Sequence, residues 1–101
     1  MIYTGSKDKT IRKWNLKDEK VTCKGIFEGH TSLITEIISI DGSYIASGSK
    51  DKTIRIWECQ KGKCLATLEG HERSIMKLIY IKDIAKLIST SLDETIRVWN
   101  L

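Results

Sequence analysis

The chain has 101 residues, 41% apolar and 30% charged, an ordinary globular composition that excludes a disordered tail. Its net charge of +4 comes from lysines spread along the chain, without the block of like charge that marks a nucleic-acid or membrane-binding tail. No apolar run approaches the ~20 residues of a membrane helix, so no membrane partner is expected. The start MIYTGSKDKT lacks the apolar core of a signal peptide, which, if Met1 is the true start, places the protein inside the cell, in cytoplasm or nucleus.

In chain order, residues 2–6 read as a clipped strand, Lys7-Asp8-Lys9 as a tight turn, and Thr10 to Leu16 as a strand rich in β-formers. The turn LKDEK leads to a strand from Val21 to Phe27, and Glu28-Gly29-His30 is a connector. Leu33 to Ile40 (LITEIISI) is apolar on both parities, which predicts a strand buried on both faces, and Asp41-Gly42 behind it is a strong hairpin signal. Tyr44 to Ser49, the turn Lys50-Asp51-Lys52, Thr53 to Cys59, the turn QKGK and Cys64 to Leu68 follow. Gly70-His71 opens another round: Ser74 to Ile81, a turn at Lys82-Asp83, Ala85 to Ser91, a turn at Leu92-Asp93-Glu94, and Thr95 to Leu101. Short strands with a turn roughly every ten residues predict an all-β fold. SIMKLIYI is read as strand from its place in the order.

The order is a repeat. GSKDKTIRKW (5–14), GSKDKTIRIW (48–57) and the looser TSLDETIRVW (90–99) place aspartates at 8, 51 and 93 and tryptophans at 14, 57 and 99. Gly29-His30 and Gly70-His71 recur 41 residues apart. A period near 42 makes each unit one supersecondary module that buries its faces against its neighbours. The three cysteines are too few and too odd for a disulfide framework, although Cys59 and Cys64 could face each other across a hairpin. Neither they nor the two histidines have the spacing of a zinc site, so no metal and no cofactor is expected.

Gly-His, about twenty residues, then S-G-S-K-D-K-T-I-R-I-W resembles the signature of the WD-repeat β-propeller family, over nearly the whole chain. The chain departs from the name-giving dipeptide, since Asn15, Glu58 and Asn100 follow the tryptophans. The stretch between the first two strands of each unit is also degraded, to SIDG and IKDIAK. The resemblance implies an all-β partial propeller of about two and a half four-stranded antiparallel blades, over 1–101. Residues 2–27 would be an incomplete first blade, 31–68 a complete one, and 74–101 a third lacking its outer strand. It also implies a buried hydrogen-bonded tetrad per blade: His30, Ser47, Asp51 and Trp57, then His71, Ser89, Asp93 and Trp99, with Thr4, Asp8 and Trp14 as a partial set. An indole N–H only donates, so Trp57 needs an acceptor such as the Ser47 hydroxyl, which can pass its own proton towards His30 and so to Asp51.

Ser, His and Asp invite a catalytic triad, but a set that repeats per unit with its serine inside a strand is a structural device. GSKDKT lacks the second glycine and the Gly-Lys-Ser/Thr ending of a phosphate loop. Arg12, Arg55 and Arg97 beside the tryptophans suggest strand-face charge partners or cation–π contacts. The implied function is a noncatalytic scaffold binding proteins or peptides, with Lys7, Lys50 and Leu92 at the top-face position before each aspartate. The alternative is the regulatory propeller portion of a larger enzyme, such as a kinase or NTPase. Nucleic acid is disfavoured, because the tryptophans fill structural slots and cannot interleave as a stacking platform. Propellers close with about four to eight blades, so further blades in the same or another chain should complete the ring. Self-closure is disfavoured, because the missing innermost and outermost strands do not complement each other. The isolated chain should be poorly folded or self-associating.

Overall fold

A computed structural model describes residues 2–17 and 20–101. It is all-β apart from one 3₁₀ turn, Lys82–Ile84, as the run of β-formers and turn residues predicts. The strands are β1 (Ile2–Gly5), β2 (Ile11–Lys17), β3 (Lys20–Phe27), β4 (Ile34–Asp41), β5 (Tyr44–Ser49), β6 (Ile54–Glu58), β7 (Lys63–Leu68), β8 (Ile75–Ile81), β9 (Lys86–Ser91) and β10 (Ile96–Asn100). Each pairs antiparallel with its sequence neighbour, giving three sheets ordered β1-β2-β3, β4-β5-β6-β7 and β8-β9-β10. Of the expected turn LKDEK, Asp18 and Glu19 lie outside the described residues.

The sheets stack, with β4 against β1 and β8 against β4 and β5. Alternation along β6 makes this possible. Ile54 and Ile56 join Ala46, Ile75, Leu78 and Leu87 in the core between the second and third sheets. Trp57 turns the other way, to Ile11, Phe27, Ile45 and Cys59 between the first and second. Each large side chain fully buried there contributes about 1.5–3 kcal/mol. Close approach requires glycine at two equivalent positions. A Cβ on Gly5 would lie 2.5 Å from Ile34 Cγ2, and one on Gly48 would lie 2.5 Å from Ile75 Cγ2.

Several local expectations shift. β4 is half-buried along most of its length, and β8 buries Ile75 and Leu78 while Met76 and Ile79 stay exposed. Among the described residues the third sheet packs against the second on one face, and apolar residues of the other parity face away from it. Asp41 stays in β4, opposite Tyr44, and the hairpin loop is Gly42-Ser43, closed by the Ser43 N–H donating to Asp41 Oδ1 at 2.7 Å. Ala85 has φ 51° at the end of the 3₁₀ turn, so β9 begins at Lys86. Cys59 and Cys64 do not face each other: Cys64 lies opposite Trp57, Cys59 lies in the turn, and all three thiols are free.

Candidate functional site

The second sheet brings His30, Ser47, Asp51 and Trp57 together. Trp57 Nε1–H donates to Ser47 Oγ at 2.8 Å, and Ser47 Oγ lies 2.6 Å from His30 Nε2. His30 Nδ1 lies 2.8 Å from Asp51 Oδ2. One proton arrangement satisfies every member: indole to hydroxyl, hydroxyl to Nε2, and Nδ1–H to carboxylate. It requires a neutral imidazole. A second ring proton at Nε2 would take away the acceptor of the Ser47 hydroxyl proton. Burial holds the His30 pKa down, ahead of the opposing hydrogen bond and charge of Asp51, while Arg55 adds to the lowering.

Asp51 gathers further donors. Its Oδ2 accepts the Thr31 N–H at 3.0 Å, and its Oδ1 accepts the Thr53 N–H at 2.9 Å and the Thr53 hydroxyl at 2.6 Å. Burial pushes this carboxyl up, but the Thr53, Thr31 and His30 hydrogen bonds outweigh burial and hold its pKa below the usual value. The third sheet repeats the arrangement: Trp99 Nε1 to Ser89 Oγ 2.9 Å, Ser89 Oγ to His71 Nε2 2.7 Å, and His71 Nδ1 to Asp93 Oδ2 2.9 Å. Burial raises the Asp93 carboxyl too, and Thr95, Glu72 and His71 more than reverse it, leaving it well below the carboxylate range. In the first sheet Trp14 Nε1 donates to Thr4 Oγ1 at 2.8 Å, while Asp8 accepts hydrogen bonds from the N–H and hydroxyl of Thr10 in its own turn. Without a histidine the two halves are not joined.

Sequence reasoning singled out the four relay residues but missed the serine and threonine that hold the aspartate. In all three turns the N–H of the aspartate donates to a serine two residues earlier: Ser6, Ser49 or Ser91. Ser49 in turn donates to Leu33 O at 2.8 Å and Ser91 to Arg73 O at 3.0 Å, which ties each turn to the segment after Gly-His. Their recurrence in every copy of the repeat was the available signal. The residue after each aspartate, Lys9, Lys52 or Glu94, takes positive φ (74°, 77° and 68°), a left-handed conformation that no glycine announces.

The Gly of each Gly-His makes room for an arginine. A Cβ on Gly29 would lie 2.7 Å from Arg55 Nη1, and one on Gly70 would lie 2.9 Å from Arg97 Nη1; φ at these glycines is 157° and 153°. Arg55 stands over Trp57, with Cζ 5.9 Å from the ring centroid, and Arg97 donates to Gly70 O at 3.0 Å. The first unit has no such glycine, and Arg12 turns to Asp8 at 3.6 Å instead.

Lys7, Lys50 and Leu92 all point into solvent at the tips of these turns. The serines of the relay do not. Ser47 and Ser89 have 0% exposure, and each hydroxyl is engaged on both sides, so no substrate carbonyl can reach them. At the opposite end of the first seam lies a cavity of about 540 Å³, lined by Tyr3, Lys13, Ser39, Asp41, Glu58 and Cys59 among others. In repeat register its Tyr3 and Ser39 stand where Ala46 and Tyr80 stand at the second seam. Lys13 replaces Ile56 there and donates to Cys59 O at 3.0 Å, across the seam. Burial, with the neighbouring Cys59 thiol, pushes the Tyr3 phenol up to about 12. Among the described residues no group of three or more His, Cys, Asp or Glu could hold a metal ion, and no helix is long and apolar enough to cross a membrane.

The family described as "WD domain, G-beta repeat" matches residues 21–58 and 62–100. An uncharacterized WD repeat-containing protein of Schizosaccharomyces pombe is 36% identical over 104 residues, covering 99% of this chain. The chain spans only 26% of that relative's length. With three antiparallel sheets in repeat register and two family matches across most of its residues, this chain belongs to the WD-repeat family and is a segment of its propeller fold.

Proposed function

We propose that this segment is part of a noncatalytic propeller scaffold that binds a protein or peptide partner over the face bearing the Asp8, Asp51 and Asp93 turns. Further blades complete the ring. The observation that carries this reading is the division of labour within each turn: the aspartate behind is occupied by internal donors, while Lys7, Lys50 and Leu92 in front are exposed. Two adjacent turns present cations, which favours an acidic or phosphorylated peptide. A library of fluorescent phosphoserine peptides should bind, as read by anisotropy, and Lys7→Glu with Lys50→Glu should abolish that binding while leaving the circular dichroism spectrum unchanged. Binding that survives both charge reversals removes this surface from consideration.

A second reading is favoured by the short span relative to the S. pombe protein, which leaves room for other domains. In that reading the propeller regulates an attached enzyme, such as a kinase or NTPase, whose chemistry lies outside these residues. Activity of the full-length protein towards ATP, lost on changes outside the repeats and retained when relay residues are changed, supports it.

A further inference from the structure

The outward face of the third sheet is bulkier at two positions than the face of the second sheet that is covered: Ile88 stands where Ala46 stands, and Thr90 where Gly48 stands. In repeat register, Ile96 and Val98 stand where Ile54 and Ile56 stand in the second sheet, and they are 71% and 61% exposed. Ile54 and Ile56 are covered by the third sheet, so the equivalent face of the third sheet continues an interface already built twice. At the centre of both existing seams, an isoleucine from the following sheet rests on a glycine of the sheet before it. These are Ile34 on Gly5 and Ile75 on Gly48, and in each case an added Cβ would lie 2.5 Å from the isoleucine Cγ2. The third member of the series is Thr90, opposite Ile96 in the β9–β10 ladder. A Cβ carrying two further heavy atoms stands where the other seams tolerate none.

We propose that this face receives a sheet of the same kind carrying a small residue, glycine, alanine or serine, at the fourth position after its Gly-His pair, where Ile34 and Ile75 stand in this chain. The bulk removed from one side of the seam is supplied by Thr90 on the other. Packing at native density leaves no slack for both. The partner is therefore a WD-type blade with a reversed large–small pair at its innermost strand. The sheets of this chain do not supply that partner, because the residues they carry at the position, Ile34 and Ile75, are both large.

The test extends the chain beyond Leu101 with a copy of residues 60–101 and carries Ile88→Ala throughout, so that the second seam is reproduced around position 90, and crosses two changes: Thr90→Gly, and Ile→Ala at the appended counterpart of Ile75. The urea midpoint of each of the four proteins is measured. With isoleucine in the appended sheet, Thr90→Gly should raise the midpoint by on the order of 1 M, whereas with alanine it should leave the midpoint unchanged or lower it. If the threonine–isoleucine protein fails to fold and the threonine–alanine protein folds, the proposal is likewise supported. Equal shifts of Thr90→Gly in both backgrounds overturn it. So does a threonine–isoleucine protein at least as stable as its alanine counterpart. A discrete dimer of the unextended chain, dispersed by Val98→Glu, would assign the face to a second copy and also overturn it.

Discussion

Removing one hydroxyl should uncouple a whole sheet. Among the described residues Ser47 is the only hydrogen-bonded link between Trp57 and His30, which are 1% and 5% exposed. In Ser47→Ala the indole N–H and the imidazole Nε2 both stay buried without a partner, and each costs about 1–3 kcal/mol. The sum, about 2–6 kcal/mol, is a large part of the 5–15 kcal/mol typical of a domain of about this size. The contrast is Thr4→Ala in the first sheet. There Thr4 is exposed and Trp14 half-buried, so water can replace the hydroxyl and the expected cost is under about 1 kcal/mol. Urea denaturation followed by tryptophan fluorescence, at concentrations low enough to suppress association, measures both. A Ser47→Ala cost below about 0.5 kcal/mol, or no larger than that of Thr4→Ala, would refute the argument that the relay holds the sheet through buried, saturated donors.

The remaining expectations follow from the same geometry. The folded-state pKa of His30 is depressed below 6.5, so stability should be flat above that pH and fall below it, as the unfolded chain takes up a proton that the folded chain refuses. Asp51, also depressed, adds a further loss below its ordinary 3.8, and urea midpoints from pH 8 to 3 should show both falls, the first one missing in His30→Asn. Gly29→Ala drives a methyl group into Arg55 and should cost about 1–3 kcal/mol, partly rescued by Arg55→Ala, as a double-mutant cycle would read. Lys52→Gly relieves a left-handed backbone at φ 77° and should stabilise by about 0.5–1 kcal/mol on the same urea assay; a destabilisation would contradict the turn geometry. With both end faces exposing apolar residues such as Val21 and Val98, and neither fitted to the other, the chain should associate without defined stoichiometry, and sedimentation should show a mass that climbs with concentration without a plateau.

Repetition carried most of what was legible. A turn residue seen once is ambiguous, but a ten-residue stretch written three times at one interval points to a repeated module, and the strand order repeats with it. The family resemblance that the repeat carries supplied the four relay residues, and donor–acceptor chemistry ordered their hydrogen bonds, while the serine and threonine that hold the aspartate did not stand out. Contacts between units could not be read, because the partner sits in the next repeat at no fixed chemical cue. Nothing in Gly5 or Gly48 announces the isoleucine resting on it, and the exchange of Ala46 and Tyr80 for Tyr3 and Ser39 is visible only once the sheets are stacked. The left-handed Lys52 was hidden for a different reason. Glycine usually marks such a position, and here the hydrogen bonds of Ser49, Asp51 and Thr53 impose the turn on a residue that would not choose it.

The relay depends on the shielding of one indole proton. Amide and indole hydrogen exchange by NMR should rank the three side-chain N–H groups by burial, with Trp57 slowest, Trp99 intermediate and Trp14 fastest. Ser47→Ala should collapse the protection of Trp57 alone. A Trp57 indole that exchanges as fast as that of Trp14 in the unaltered chain would contradict it.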